Sequence, residues 1–367
     1  MIRFILFFLV CNFVFSQSYY VYVASESDDT VSLLKFENNE INELERITVG
    51  TYPTEIEGPH GITVDPSGKF WYLSLAHGNP FGKLVKYSTE SNEVVDETTL
   101  GLFPASMQVS TTTGFLYCVN FNLHGSMKPS TVSVVDPVTM TEITTITTGS
   151  MPHGSRISPD GLYQYSVAMM SGELFEVDAL GLEVSRTLDL ESKMMKKDGM
   201  KSMDGMKSMD GMKSMDGMKH SMVKPTWVIP HPMKNLAYVA GNGSDEVIEV
   251  DLDAWEVSDR FKTGKGPYNL EISPDGKLLI GTIKSEGKTA IWNLEDKKLV
   301  GEIKNTTSVS HGIAISSDSK YAFVSVEGIG GEPGIVDVIS LENYEIISSV
   351  EVGKQAGGIA FWKQDNL

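Results

Sequence analysis

Histidine and methionine are the side chains of this sequence whose types and spacing could do chemistry. The chain has 7 His and 18 Met among its 367 residues. Neutral imidazole binds copper, zinc, iron and nickel, and thioether sulfur selects the soft ion Cu(I). A fold that gathers several of these side chains at one place would therefore create a transition-metal site.

Three histidines, His60, His153 and His311, occupy the same position in a recurring phrase. Each is followed by Gly, a short apolar stretch and a turn rich in Pro, Ser, Asp and Gly. The phrase predicts a strand, a turn and a second strand. A third strand follows, and a fourth ends at Gly. Four short strands in every ~40 to 50 residues are typical of a β-propeller blade.

The repeats divide the chain into six complete blades, at residues 51–101, 102–149, 150–190, 224–264, 265–305 and 306–353. Residues 19–50 contain three strands and residues 355–362 contain one. Joining them makes a seventh blade and removes the open sheet edges. The predicted fold is all-β: a seven-bladed β-propeller of four-stranded blades, closed by pairing the N- and C-terminal segments.

The repeat resembles that of the YVTN-repeat seven-bladed propellers. The resemblance is carried by Ser-Pro-Asp-Gly-Lys at 273–277, Tyr-Val-Ala at 238–240 and Glu-Val-Ile-Glu-Val-Asp at 246–251. It covers nearly the whole chain after the first residues. It implies the fold specifically and the function only broadly, because such propellers include metal-binding, haem-binding and lactone-cleaving proteins.

Antiparallel strands place the start of the first strand and the end of the second on the same face of a blade. The histidines that begin first strands should therefore lie near the side chains that end second strands, and His231 should lie on the opposite face. The predicted copper ligands at the mouth of the central channel are His60, His77, His124, His153, His311 and Met170. The alternative is structural: each His would bond a backbone carbonyl.

This arrangement is similar to that of nitrous oxide reductase, which also places histidines at the channel mouth of a seven-bladed propeller to hold copper. The present sequence has fewer such histidines and lacks the cupredoxin domain with its cysteine pair. The resemblance therefore implies copper, as Cu(I) or Cu(II), at the mouth and argues against the full reductase activity.

A methionine-rich insert at 191–223 interrupts the repeats with copies of Asp-Gly-Met-Lys-Ser-Met. Its composition cannot build a core, so disorder is expected. It resembles the Met-rich tracts of periplasmic copper-resistance proteins and should emerge on the face of the histidines. Its predicted ligands are Met200, Met203, Met206, Met209, Met212, Met215, Met218, His220 and Met222. The alternatives are a low-complexity expansion without a ligand and a methionine sink for oxidants.

The N-terminus predicts export. Residues 1–16 combine Arg3 with an apolar stretch, typical of a cleaved signal peptide. The remaining 17–367 would form a single propeller domain, secreted or periplasmic, without a membrane span and monomeric. Its formal net charge of −18 argues against nucleic acid and anionic membranes as partners. Without Cys11, Cys118 has no cysteine to pair with, which indicates a buried thiol.

The sequence therefore predicts a copper-binding propeller for sequestration, storage or delivery, with the metal ion and a copper-handling protein as partners. The methionine-rich insert favours binding over catalysis, and the sequence contains no Walker loop, zincin motif or nucleophile elbow. Two alternatives stay open. One is a lactonase-like hydrolase or redox enzyme at the same mouth, with Glu57, Glu173 or Glu327 as candidate bases. The other is a non-enzymatic protein-binding scaffold.

Overall fold

The computed structural model describes residues 17–52, 54–77, 81–191 and 220–366. Within them, 28 strands form seven antiparallel sheets of four strands each, which confirms the predicted propeller. The predicted signal peptide and residues 192–219 of the insert lie outside the described residues, and both stay predictions. In the described part of the chain, no helix is long and apolar enough to cross a membrane.

Blades 1 to 3 follow one another along the chain, and each runs from the central channel outwards. Blade 1 contains β4 (Pro59–Val64), β5 (Phe70–Leu75), β6 (Lys83–Ser88) and β7 (Val94–Thr99). Blade 2 contains β8 (Pro104–Val109), β9 (Leu116–Asn120), β10 (Pro129–Asp136) and β11 (Thr141–Ser150). Blade 3 contains β12 (Pro152–Ile157), β13 (Tyr163–Ala168), β14 (Glu173–Asp178) and β15 (Glu183–Asp189).

Blades 4 to 6 have the same order. Blade 4 contains β16 (Pro225–Pro230), β17 (Leu236–Gly241), β18 (Glu246–Asp251) and β19 (Glu256–Lys262). Blade 5 contains β20 (Pro267–Ile272), β21 (Leu278–Ile283), β22 (Lys288–Asn293) and β23 (Lys298–Lys304), with a short 3-10 helix at Lys284–Glu286. Blade 6 contains β24 (Ser310–Ile315), β25 (Tyr321–Val326), β26 (Gly334–Ser340) and β27 (Glu345–Val352).

Blade 7 joins the two ends of the chain, as the repeats predict. From the channel outwards it contains β28 (Ala356–Asn366), β1 (Gln17–Ser25), β2 (Thr30–Glu37) and β3 (Glu40–Thr48). β28 pairs antiparallel with β1, and it also contacts the innermost strands of blades 1 and 6. The ring is therefore closed by strand pairing rather than by a disulfide.

Hydrophobic packing between blades holds the ring together. Inner strands such as β5 are almost fully buried, whereas the outermost strand β7 is mostly exposed. The Trp71 and Tyr87 rings stack at 3.9 Å between centroids, and Tyr22 of blade 7 stacks on Trp71 at 5.1 Å. Aromatic pairs add about 0.5–1.5 kcal/mol beyond the area that they bury. These contacts lock blade 7 against blade 1.

Glycine follows the histidine in the repeated phrase because the innermost strands approach each other closely. A Cβ atom on Gly61 would lie 1.9 Å from the carbonyl oxygen of Ala105 in the next blade. On Gly312 it would lie 2.6 Å from the carbonyl oxygen of Gly357. No side chain fits between strands at this spacing. The histidine before each glycine is thus held near the start of an innermost strand, at the wall of the channel.

Candidate functional site

The channel mouth brings together histidines that are far apart in sequence. His60, His153 and His311 are each the second residue of an innermost strand, and Tyr268 occupies the same position in β20. The ring centroid of His60 lies 6.2 Å from that of His153 and 6.1 Å from that of His311. Tyr268 lies between the other two, 5.2 Å from His153 and 4.7 Å from His311.

Glu26 joins two histidines from different strands. Its carboxylate accepts a hydrogen bond from His60 Nδ1 at 2.9 Å and another from His77 Nε2 at 2.7 Å. Burial alone would raise the pKa of Glu26, but the hydrogen bonds from these histidines outweigh it and hold the pKa well below its usual range. The bond to Glu26 in turn raises the pKa of His77.

The ring of Phe103 contacts the three more exposed histidines of the mouth. Its ring centroid lies 5.2 Å from that of His60, 5.1 Å from His77 and 5.6 Å from His124. The centroids of His77 and His124 are 5.9 Å apart. His124 belongs to the loop after β9, beyond the strand end, and still reaches this group. Five histidines from four blades therefore share one mouth, which we call the channel-mouth histidines (His60, His77, His124, His153 and His311).

Both ring nitrogens of His153 form hydrogen bonds with other protein groups. Its Nδ1 donates to the carbonyl oxygen of Thr226 at 2.9 Å, so its Nε2 accepts from the Tyr268 hydroxyl at 2.8 Å. Burial lowers the pKa of His153 to about 3, with a further contribution from nearby His60. The ring is therefore neutral, with one fixed tautomer. The structural alternative drawn from the sequence describes this residue well.

His311 faces a lysine–glutamate pair. Lys284 Nζ donates to Glu327 Oε1 at 2.6 Å, and His311 Nε2 lies 3.7 Å from the same oxygen. Lys284 Nζ also lies 4.2 Å from the centroid of the Tyr268 ring. Burial lowers the pKa of His311 well below the usual value, and the positive charge of Lys284 adds to this effect. His311 is therefore neutral as well.

Of the three candidate general bases, Glu327 lies among these groups. Glu327 contacts Lys284 and His311, as described above. The Glu57 carboxylate instead accepts hydrogen bonds from the backbone of Thr51 and Tyr52.

The described end of the methionine-rich insert lies on the same face. The backbone amide of Ser221 donates to the carbonyl oxygen of Met170 at 3.0 Å. Met170 itself packs on the hydrophobic cluster of Phe103 and Phe121, whose rings contact channel-mouth histidines. His220 and Met222 are exposed to solvent. The predicted ligands outside the described residues are Met200, Met203, Met206, Met209, Met212, Met215 and Met218.

The channel-mouth histidines do not form a closed metal cage. Among the described residues, no group of three or more His, Cys, Asp or Glu is spaced to hold a metal ion. Metal–nitrogen bonds of about 2.1 Å place the centroids of two bound imidazoles roughly 5 Å apart. The observed centroid distances of 5.9–6.2 Å exceed this by about 1 Å. The donor chemistry fits copper or zinc, and tetrahedral binding would require the rings to close by that distance.

His231 and Cys118 have structural roles. His231 lies at the opposite face, where its Nε2 donates to the carbonyl oxygen of Gly276 and its Nδ1 accepts from two backbone amides. Burial lowers the pKa of His231. Cys118 is a free, buried thiol, and burial raises its pKa. Both residues are placed as the sequence predicts.

Sequence reasoning missed Glu26, Lys284 and Tyr268. Glu26, Lys284 and Glu327 each come directly after the second strand of a blade, namely β1, β21 and β25. The same topological rule that singled out His77 would have placed them at the mouth. Glu26 and Lys284 lie outside the histidine and methionine pattern from which the copper ligands are predicted.

Comparisons with known proteins support the fold. No protein-family model matches the chain, and no curated protein matches it. A functionally unknown protein from Desulfotomaculum acetoxidans is similar in structure, with a TM-score of 0.68 and 16% identity over 94% of this chain and 98% of that one. A proposed 6-phosphogluconolactonase from Bacteroides uniformis has a TM-score of 0.64 and 14% identity, over 94% and 99%.

Hydrazine synthase from Kuenenia stuttgartiensis is also similar, with a TM-score of 0.59 and 18% identity over 80% of this chain and 81% of that one. At such low identities these likenesses show the fold alone. The resemblance to YVTN-repeat propellers is thus supported as a likeness of architecture. The chain is a seven-bladed β-propeller whose channel mouth carries a group of histidines supported by a buried carboxylate.

Proposed function

We propose that the channel mouth binds copper and that the protein sequesters, stores or delivers this metal outside the cytoplasm. The observation that carries the proposal is Glu26, which accepts a hydrogen bond from one nitrogen each of His60 and His77. A carboxylate accepts only, so both contacting nitrogens carry hydrogen. In the neutral rings the lone pairs then belong to His60 Nε2 and His77 Nδ1.

A carboxylate behind a metal-binding imidazole is a recurring arrangement, because it fixes the ring orientation and makes the ligand more basic. Glu26 would play this part for two ligands at once. His124, whose ring centroid lies 5.9 Å from that of His77, would supply a third nitrogen from the loop after β9. Imidazole ligands of this kind suit copper and zinc.

The charges at the mouth also favour a cation. Glu26 and Glu327 bring two carboxylates to it, and Lys284 brings one ammonium group, which is paired with Glu327. An unbalanced carboxylate at the end of a low-dielectric channel raises the local concentration of cations. The His153 ring would contribute less, because a metal would have to displace the Tyr268 hydroxyl from its Nε2.

The methionine-rich insert is the second part of the proposal. Its thioethers would capture Cu(I) and pass it to the channel-mouth histidines. Support comes from the bond of Ser221 to Met170, which holds the end of the insert on this face. The predicted signal peptide would bring the protein to a compartment in which a copper-handling protein could be its partner.

The test is copper content after loading the purified protein with Cu(I) under reducing conditions. The double variant His60→Ala/His77→Ala should lose the mouth site, and deletion of residues 194–219 should lose the capacity of the insert alone. This deletion spares Ser221 and Met222, which contact Met170 and Glu191, so the two blade ends remain anchored. Electron paramagnetic resonance of the Cu(II) form should show nitrogen ligands that disappear in the double variant.

His231→Gln is the matched control, because it removes a histidine from the opposite face. Circular dichroism must show that each variant is folded. Copper uptake that is equal in the wild type, the double variant and the deletion would contradict the proposal. Loss of copper uptake in only one of these two variants would restrict the proposal to the part of the molecule that the variant alters, either the channel mouth or the insert.

A lactonase-like hydrolase is a second candidate, and Glu327 is the observation that favours it. Its carboxylate lies 3.7 Å from His311 Nε2, so an acid–base pair would line the same mouth. The proposed lactonase with a similar fold makes 6-phosphogluconolactone the natural substrate to assay. Hydrolysis that depends on Glu327 and not on added metal would favour this function over copper binding.

A further inference from the structure

A small chamber lies in the channel beneath the channel-mouth histidines. It has a volume of about 40 Å³, and His60, His153 and His311 line one end of it. Its walls are formed by innermost strands and include Trp227, Asn269 and the apolar side chains of Ile62, Met107, Ile313 and Ile359. The chamber is therefore mostly apolar, with a few polar groups at defined positions.

Three buried polar atoms on the residues of this wall lack partners. His311 Nδ1, Asn269 Oδ1 and Trp227 Nε1 have no hydrogen-bond partner among the described residues. The three side chains are buried, with exposed fractions of 7% for His311, 3% for Asn269 and 7% for Trp227. Leaving such an atom unpaired costs about 1–3 kcal/mol. Three unpaired atoms on residues that line one cavity would be a large cost for a marginally stable fold.

An ion pair lies at the other end of the chamber. Arg156, which also lines the cavity, pairs with Glu271 of blade 5, and its guanidinium lies 4.4 Å from the centroid of the Trp227 ring. Burial raises the pKa of Glu271, whereas Arg156 opposes this effect. The pair joins strands β12 and β20, which are separated in the ring by β16, and so it links two blades that are not adjacent.

We infer that this chamber is a binding site for a cluster of about three to four water molecules. A bound water needs roughly 10–15 Å³ of such space and two to four polar partners. Trp227 Nε1 can only donate and Asn269 Oδ1 can only accept, so the occupant must both accept and donate. Water meets both demands and fits the volume.

Water completes the hydrogen bonding of His311. The nearest carboxylate oxygen, Glu327 Oε1, lies 3.7 Å from His311 Nε2, beyond hydrogen-bond distance, and already accepts from Lys284. Water at Nδ1 would pair with this nitrogen in either tautomer, because water both donates and accepts. The inference concerns the metal-free protein and does not depend on copper binding, so the two can fail separately.

The first test is a crystal structure of the metal-free wild type at about 1.5 Å resolution or better, where ordered water is visible. We expect at least two water molecules in the chamber, within about 3.2 Å of two or more of His311 Nδ1, Asn269 Oδ1 and Trp227 Nε1. An empty chamber would overturn the inference, and so would side-chain rotations that pair these atoms with protein groups.

The second test is nuclear magnetic resonance of protein labelled at the tryptophan indole nitrogen. The Trp227 indole hydrogen, assigned with Trp227→Phe, should show a cross-relaxation peak to bound water. Trp71 is the internal control, because its Nε1 is buried and donates to Asn92 Oδ1 at 3.1 Å. A water peak for Trp227 but not Trp71 supports the inference. Equal behaviour of the two indoles would overturn it.

Discussion

The pH dependence of stability offers a direct test of how His153 is placed. The pKa of His153 is lowered from 6.5 to about 3 in the folded protein, chiefly by burial. Between these pH values the unfolded chain binds a proton that the folded chain does not. Stability contributed by His153 is therefore fully present above about pH 6.5 and is lost as the pH falls towards 3.

The magnitude follows from the two pKa values. On acidification from about pH 7.5 to about pH 5, protonation of His153 in the unfolded chain should reduce the free energy of unfolding by about 2 kcal/mol. The variant His153→Asn removes the titrating group and keeps an amide that can donate to the carbonyl oxygen of Thr226. Its own change over this pH range should be smaller than that of the wild type by about 2 kcal/mol.

The assay is urea unfolding followed by tryptophan fluorescence, at both pH values and with a chelator present. The comparison is made within each protein, so the cost of the substitution itself cancels. His124→Asn, at an exposed position, is the matched control and should retain the wild-type pH dependence. Equal pH dependence of wild type and His153→Asn would refute the assignment of a neutral, buried His153.

Three further predictions follow from contacts described above. Gly61→Ala should destabilise the fold by several kcal/mol, because its Cβ would lie 1.9 Å from a backbone oxygen. The control Gly331→Ala, in open space, should change the free energy of unfolding little. Equal effects of the two substitutions would contradict the close strand spacing. Glu26→Gln should lower the pKa of His77, since the carboxylate raises it; a nuclear magnetic resonance titration that shows no decrease would contradict the bond. Removal of residues 356–367 should abolish cooperative unfolding, because β1 loses its inner partner; a sharp transition in calorimetry would show that six blades suffice.

The propeller could be predicted because its pattern repeats. Each turn phrase places Asp and Gly where the local geometry needs them: Asp160 accepts from the amide of Leu162, and Gly161 adopts a φ of 73°. One copy of such a pattern is weak, but six copies in register with complementary chain ends determine the topology. The location of His60, His153 and His311 then followed from strand order alone.

The details of the mouth could not be predicted in the same way. Whether a histidine nitrogen is free or engaged depends on partners from other blades, such as Tyr268 for His153 and Glu26 for His77. Those distances are set by the packing of the whole ring and not by local sequence. The repeat therefore predicts which side chains meet, but not which of their atoms remain available.

The closure of blade 7 ties the assembly of the mouth to the arrival of β28. The backbone amide of Glu26 donates to the carbonyl oxygen of Gln355 at 3.1 Å, just before the strand that closes the ring. A growing polypeptide lacks this support until residue 355 has been made. Contacts of such long sequence separation form late and slowly. Truncated or incompletely folded chains would thus lack an ordered Glu26, and the protein would acquire its mouth only at the final step of folding.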